Sequence, residues 1–497
     1  MKDDSKTLRR LSSSDTKAKE SKESRLLKLV EDAELFVTED GTAYISLVVA
    51  DHQETHPITS GALASLLRYL YYGSHKRVLG RGTVENVIST IKAQALFGGQ
   101  QKRVYLRVGR FGDTLLLDLA NNRWECIAIS AKGWWIEKKP PVRFRRSEGM
   151  LPLPYPAREG DGEDLFMRMI NVRSLDDLIL IEAWLLGTLY PEGPYPVLVF
   201  NSDSGTAKST QSRILRGLID PNIVPLHAIP KDERDLLISA TNSHVLAYDN
   251  ISYIANWHSN AFCRLSTGGG LSTRRLYTDD EEKLLRAQRP VILNGVEQLV
   301  RRHDLLDRAI VIPLPRIPDH RRVPEERIWT EFDRYHPRVL GWLLDILSAS
   351  LLARADLAPP SLPRMADFVI RALSADDAMG WPSDRFIRAF TLNRQQSHEG
   401  ALGSSAIADH LRAIGAWKGT ATKLLRCLNN LAGDREQRAK SWPGSARALA
   451  RELRRIAPSL LMVGLRVTFT KKGGGNRDRM IELEPSETWL RLWRGSL

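Results

Sequence analysis

The chain has 497 residues, 42% of them apolar, and carries 72 Lys+Arg against 59 Asp+Glu, a formal net charge of +13. That length accommodates about two to four domains, and the charge favours a polyanionic partner, nucleic acid first and an acidic membrane second. No run of ~18 apolar residues is present to span a membrane, Met1–Arg25 lacks the apolar core of a secretory signal, and Cys126, Cys263 and Cys427 fit neither a zinc spacing nor a disulfide framework, which predicts a reducing cytoplasm.

Residues 1–25 are polar and charged without periodicity and are expected to be a disordered basic tail. Residues 26–157 read as an α+β domain. Ala43–Ala50 is a strand candidate, and Gly61–Tyr72 and Val84–Phe97 have helical spacing. Short strands follow at Arg103–Val108, Thr114–Leu119, Trp124–Ile129 and Trp134–Glu137, separated by turn residues. The run Arg143-Phe144-Arg145-Arg146 suits either a phosphate-holding patch or a solvated strand edge. Leu151–Pro156 is proline-rich and reads as a linker.

Residues 158–320 alternate helix and strand, which predicts a parallel sheet covered on both faces. Val197–Phe200 is a buried strand. Asn201 to Ala207 is a loop of small residues, Lys208-Ser209 follows, and a helical pattern runs from Gln211 to Leu218. This is the setting of a phosphate-binding P-loop, whose N–H groups and helix N-terminus cradle anionic phosphates. Ser204, Gly205, Thr206, Ala207, Lys208, Ser209 and Thr210 are therefore the ATP-binding candidates. Lys208 would face the β/γ-phosphates, and Ser209 would hold Mg²⁺. Ser202 and Ala207 stand where the pattern has glycine, and Ala207 fits if its φ stays negative.

The strand His244–Asn250 ends in Asp249, placed to hold Mg²⁺ beside Ser209. The strand Pro290–Gly295 ends in Asn294, a polar side chain that can orient water or touch the γ-phosphate. Arg308 precedes the strand Ala309–Pro313 and suits a finger acting on a neighbouring subunit's ATP. Between the second and third strands, Gly268-Gly269-Gly270, Arg274-Arg275 and an acidic cluster suggest a flexible hairpin.

Residues 321–404 read as mainly helical, a lid or collar, with a strong amphipathic helix at Arg338–Ala353 and a break at Leu357–Arg364. Residues 405–497 hold 18 Lys+Arg against 8 Asp+Glu, a net of +10. Helices at Thr420–Leu431 and Ser445–Leu461 precede a hairpin, Leu465–Thr470 and Met480–Leu483, with a basic glycine-rich tip. That order is winged-helix-like. Its candidate DNA-contacting cations are Arg451, Arg454, Arg455, Lys471, Lys472 and Arg477. The alternative is a small dimerisation cap with a solvated basic surface.

Together these blocks resemble an AAA+ ATPase of the superfamily 3 helicase group, near the poxvirus-type primase–helicases of phages and plasmids. Gly205 and Lys208-Ser209 match its Walker A motif, Asp249 its Walker B acid, Asn294 its sensor-1 Asn and Arg308 its arginine finger. The resemblance implies an α/β fold with a P-loop AAA+ core. It also implies ATP and Mg²⁺ as cofactors, a homo-oligomeric ring (a hexamer), and single-stranded or forked DNA as partner, with no membrane. Arg274 and Arg275 become candidates for gripping DNA in the ring channel. The implied function is an ATP-driven DNA helicase or translocase of mobile-element replication. Asn250 stands where many AAA+ enzymes have a catalytic Glu, so either turnover is slow or Glu233 or Asp235 assists. That leaves open a second function, a DNA-binding assembly or defence NTPase that uses nucleotide as a switch.

Overall fold

The computed structural model describes residues 20–274, 282–285, 287–295, 298–353, 364–382, 384–471 and 479–486. They form two compact units. One gathers the chain up to Arg107 with Ala120–Cys126 and Glu137–Arg146. The other holds Val108–Leu119, Ile127–Ile136 and everything from Ser147.

The first unit starts with helix α1 (Lys22–Lys28), whose first four residues fall in the stretch 1–25 expected to be disordered. Ser21 caps it by accepting the Ser24 N–H at 3.0 Å, and Leu26 buries completely, which offsets the entropy of ordering these polar residues. Strands β1 (Glu34–Val37), β2 (Ala43–Val49) and β3 (His52–Pro57) are antiparallel neighbours. Helices α2 (Gly61–His75) and α3 (Arg81–Gly98) follow. Leu63, Leu67 and Tyr71 recur every four residues on α2, and Val84, Val87, Ile91 and Ala95 line one side of α3. These side chains close the core with Ile45 and Leu47. Strand β4 (Gln100–Gln101) adds to β1 in parallel.

The expected strand over Arg103–Val108 is broken. Strand β5 (Val104–Tyr105) pairs with β10 (Arg143–Phe144), whereas β6 (Val108–Phe111) pairs with β7 (Thr114–Asp118), so the chain changes partners at Leu106-Arg107. The basic run is partly spent internally. Arg143 Nε donates to Glu34 Oε2 at 2.8 Å, and the Arg146 guanidinium stacks 4.0 Å above Trp124.

In the second unit, β6, β7, β8 (Cys126–Ser130) and β9 (Gly133–Glu137) are sequential neighbours in one sheet. The proline-rich stretch lies within this unit, with Leu153 buried and its N–H donated to Leu119 O at 2.9 Å. Its end crosses helix α10 (Glu325–Ala353) so closely that a Cβ on Gly341 would stand 1.7 Å from Ala157 O. Only glycine admits that crossing.

Helices α4 (Gly162–Met169) and α5 (Leu175–Thr188) lead into β11 (Val197–Asn201). Then follow α6 (Lys208–Ile219), α7 (Glu233–Asn242), β12 (Leu246–Ile251) and α8 (Asn256–Thr267). The hairpin β13 (Leu271–Arg274) and β14 (Glu282–Leu285) precedes β15 (Val291–Gly295), α9 (His303–Leu306) and β16 (Ala309–Ile312). The central sheet runs β12-β15-β11-β16, all parallel. Alternation along β11 explains why both faces are covered. Leu198 and Phe200 enter one apolar cluster, Val197 and Val199 the other. Leu293 is fully buried on β15, and truncating such a side chain to alanine costs about 2–5 kcal/mol.

Helices α11 (Ala366–Leu373), α12 (Asp376–Met379) and α13 (Arg385–Leu402) complete the helical part. Asn393 on α13 bonds both the N–H and the C=O of Val311, at 3.0 and 2.7 Å, which satisfies the outer edge of β16. The expected break at 357–364 lies outside the described residues except for Arg364.

The C-terminal part contains α14 (Ala408–Ile414), β17 (Trp417–Thr420), α15 (Ala421–Leu431), α16 (Asp434–Gln437), α17 (Ala446–Met462), β18 (Leu465–Lys471) and β19 (Arg479–Pro485). Its sheet runs β17-β19-β18, antiparallel throughout. The sequence reading contains neither α14 nor β17. β17 is four residues long with only Gly419 buried, so it carries no alternation.

Candidate nucleotide site

The loop between β11 and α6 leaves the carboxyl end of the central sheet, where ligands of such sheets gather. Several segments brace it. Ser202 is buried, and its Oγ accepts the Leu314 N–H at 2.7 Å, so this hydroxyl ties the loop to the segment after β16. Asn171 Nδ2 donates to Thr206 O at 3.1 Å and to Pro315 O at 2.8 Å. Ile317 N–H donates to Gly205 O at 3.1 Å.

Gly205 has φ +81°, a left-handed conformation that favours glycine. Ala207 also has a positive φ, +61°, against the expectation of a negative one. The chain must reverse there to enter α6, and Ala207 N-caps the helix with no side-chain bond. Alanine in this region carries roughly 1–2 kcal/mol of steric strain.

Lys208 folds back over the loop, its Nζ donating to Ser202 O and Asp203 O, both at 2.6 Å. Burial lowers its pKa, and the charges of Asp203 and Asp249 partly oppose that shift. The first N–H groups of α6 have no intrahelical acceptor. A lysine held by loop carbonyls beside a helix N-terminus makes a surface suited to an anion.

Ser209 Oγ at the start of α6 donates to Asp249 Oδ1 on β12 at 3.1 Å. A hydroxyl and a carboxylate at this separation fit Mg²⁺, which takes one or two protein oxygens and completes its shell with water and phosphate. Asp249 Oδ1 also accepts the Asn250 N–H at 2.6 Å. Asn250 is exposed with φ +53°, a conformation asparagine tolerates better than most residues. Asn294 is fully buried, accepts the Asn250 N–H at 3.1 Å and donates to Ser212 Oγ at 3.1 Å. The structure thus gathers Gly205, Lys208, Ser209, Asp249, Asn250 and Asn294 at one edge of the sheet.

Of the alternative acids, Glu233 pairs with Arg264 on α8 at 2.7 Å, and Asp235 lies in the first turn of α7. Arg322 was not singled out in the sequence. One of its Nη atoms stands 3.3 Å from the place a Cβ on Gly205 would take.

Arg308 is elsewhere. In the parallel register Val197 pairs with Ala309, so Arg308 lies at the amino ends of the strands. The five residues of β11 separate it from the loop, about 16 Å at the usual strand rise. Its Nη1 donates to Asp304 O at 2.7 Å. Arg274 ends β13, while Arg275 lies outside the described residues. Arg451, Arg454 and Arg455 share one exposed face of α17. Arg455 pairs with Glu452 at 2.6 Å, and Arg454 lies 4.7 Å over Phe469. Lys471 ends β18. Lys472 and Arg477 lie outside the described residues.

Residues 163–392 match the family model of the actinomycete integrative conjugative element replication protein. Residues 404–491 match the model of the C-terminal domain of that element's RepA protein. Over these two spans the chain resembles that replication protein. No curated protein matches the chain. Among solved structures, an SCCmec type IV Cch described as an active helicase is 10% identical, with 92% of this chain and 93% of that chain covered and a TM-score of 0.46. The C-terminal region of NrS-1 in an apo form is 13% identical, with 93% and 99% covered and a TM-score of 0.40. No helix among the described residues is long and apolar enough to cross a membrane.

Proposed function

We propose that the chain is an ATP- and Mg²⁺-dependent DNA motor of mobile-element replication, acting in the cytoplasm as a homo-oligomeric ring. The observation that carries the reading is the braced loop with Lys208 over its carbonyls and the Ser209–Asp249 pair beside it. The match to a conjugative-element replication protein supports the biological setting.

In this reading Ser204 to Thr210 wrap the phosphates, and Lys208 leaves the carbonyls of Ser202 and Asp203 to neutralise the β/γ oxygens. Ser209 and Asp249 hold Mg²⁺, which when bound screens the developing charge on the phosphates. Asn294, fixed by Ser212, holds the backbone at Asn250 and sets where that side chain presents itself to water. Arg308 serves the neighbouring copy's nucleotide, since the sheet holds it away from its own. The order α14-β17-α15-α17-β18-β19 supports a winged-helix tail that holds DNA through Arg451, Arg454, Arg455, Lys471, Lys472 and Arg477. Arg274 and Arg275 belong to the hairpin that grips DNA in the channel.

A specific observation favours a second reading, a nucleotide switch with little unwinding. Asn250 offers no carboxylate, and Glu233 is held by Arg264. The deciding experiment is the ATPase rate with and without single-stranded DNA, together with strand displacement on a forked duplex. DNA-stimulated turnover with displacement supports the motor. Nucleotide-dependent DNA binding without displacement supports the switch.

A further inference from the structure

The carboxylate next to Arg308 sits where three parts of the second unit meet. Asp307 Oδ2 accepts from Arg364 at 2.8 Å, just ahead of α11. Its Oδ1 accepts from Arg394 at 3.3 Å and from His398 Nε2 at 3.1 Å, both on α13. His398 is fully buried. Its Nδ1 lies 3.0 Å from the hydroxyl of Ser459 on α17. Bonding to Asp307 assigns the proton to Nε2, so in the neutral ring Nδ1 accepts from Ser459.

The far end of this chain of contacts is the tail helix. Leu449, Leu453, Ile456 and Leu460 anchor α17 in the C-terminal core, while Arg451, Arg454 and Arg455 face outward. Ser459 lies one turn beyond Arg455. Pro458 precedes it and lacks the N–H that would bond Arg454 O, which makes this turn a natural bending point. Helix α13 is also the helix that bonds the edge strand β16 through Asn393.

We propose that Asp307 is a positioning residue for Arg308, and that His398 and Ser459 connect it to the basic helix, so that DNA on the tail adjusts the finger offered to the neighbouring subunit. This rests on the finger reading of Arg308. The contacts run from the Ser459 turn of α17 through the buried ring of His398 to Asp307, so a displacement of that turn is carried to the α9–β16 corner.

The test uses the full chain, with Ser459→Ala, Asp307→Asn and Arg308→Ala, and thermal melting to show that each variant folds. Ser459→Ala should keep DNA affinity and basal ATPase within about twofold of wild type. Its DNA stimulation should fall at least fivefold at unchanged KM for ATP. Asp307→Asn should lower kcat at least tenfold with KM unchanged, and mixing it with Lys208→Ala subunits should restore activity, which a damaged loop would not allow. Turnover retained by Arg308→Ala overturns the finger reading and this inference with it, whereas a wild type that DNA does not stimulate overturns the inference alone. If Arg308→Ala is inactive while Asp307→Asn and Ser459→Ala match wild type, the inference alone is overturned.

Discussion

Asn294 Oδ1 accepts the backbone N–H of Asn250 at 3.1 Å, while its own amide donates to Ser212 on the helix after the loop. One buried amide thus joins three neighbouring parts of the site: the end of β12, the end of β15 and the first turns of α6. Replacing it removes the buried bond to Ser212 and leaves the Asn250 N–H to Asp249 Oδ1 alone, and losing a buried partner costs about 1–3 kcal/mol. Asn294→Ala is expected to lower the unfolding midpoint and to reduce kcat more than nucleotide affinity. Thermal melts and steady-state kinetics check both, and an unchanged kcat would remove the water-orienting role.

Lys208→Ala removes the cation that reaches the loop carbonyls of Ser202 and Asp203. ATP binding, measured by titration calorimetry, should be lost. Tight binding by this variant would dismiss the nucleotide site itself.

Ala207→Gly relieves the left-handed strain at φ +61°. The relief of roughly 1–2 kcal/mol exceeds glycine's entropic penalty of about 0.5–1 kcal/mol. The variant should be as stable as wild type or slightly more so, with ATP affinity retained. A clear drop in melting temperature would mean that the methyl group packs usefully.

Arg308→Ala should leave nucleotide binding by a single chain intact and reduce turnover by about 10³–10⁵-fold, the range for arginine fingers. Subunit mixing with Lys208→Ala should recover activity at interfaces that pair an intact loop with an intact finger. Failure to recover at any ratio, with a monomeric mass, would argue against the ring.

Glu182 on α5 is buried and accepts from Trp381 Nε1 at 2.9 Å, and burial pushes its pKa up to about 8. Its unfolded value is near 4.5, so between roughly pH 4.5 and 8 the unfolded chain has given up the proton that the folded chain keeps. The folded state then binds more protons, and stability falls as pH rises through that window. Glu182→Gln keeps an acceptor for Trp381 without a charge. Denaturant melts from pH 5 to 8 should show a smaller loss of stability in the variant than in wild type.

The parallel sheet was readable because its strands are short apolar runs ending in Asn201, Asp249 and Asn294, and because the loop residues precede a helical period. Ser202 looked like a departure from a pattern. Its buried bond to Leu314 N–H depends on a segment more than a hundred residues away, which no local spacing reveals. Arg322 beside Gly205 and the Asp307–His398–Ser459 contacts were equally hidden. They join residues far apart in the chain, through side chains that also occur on ordinary helix surfaces. The break at Leu106-Arg107 escaped notice because the choice of strand partner is a tertiary matter.

Lys208 and Arg308 stand at opposite ends of one continuous sheet, and no motion short of tearing that sheet brings them onto the same nucleotide. On the proposed reading of Arg308 as a finger, a solitary copy holds fuel it cannot burn. Specific activity should climb steeply with protein concentration, and the cell's copy number, rather than its ATP level, would decide when the molecule starts to run.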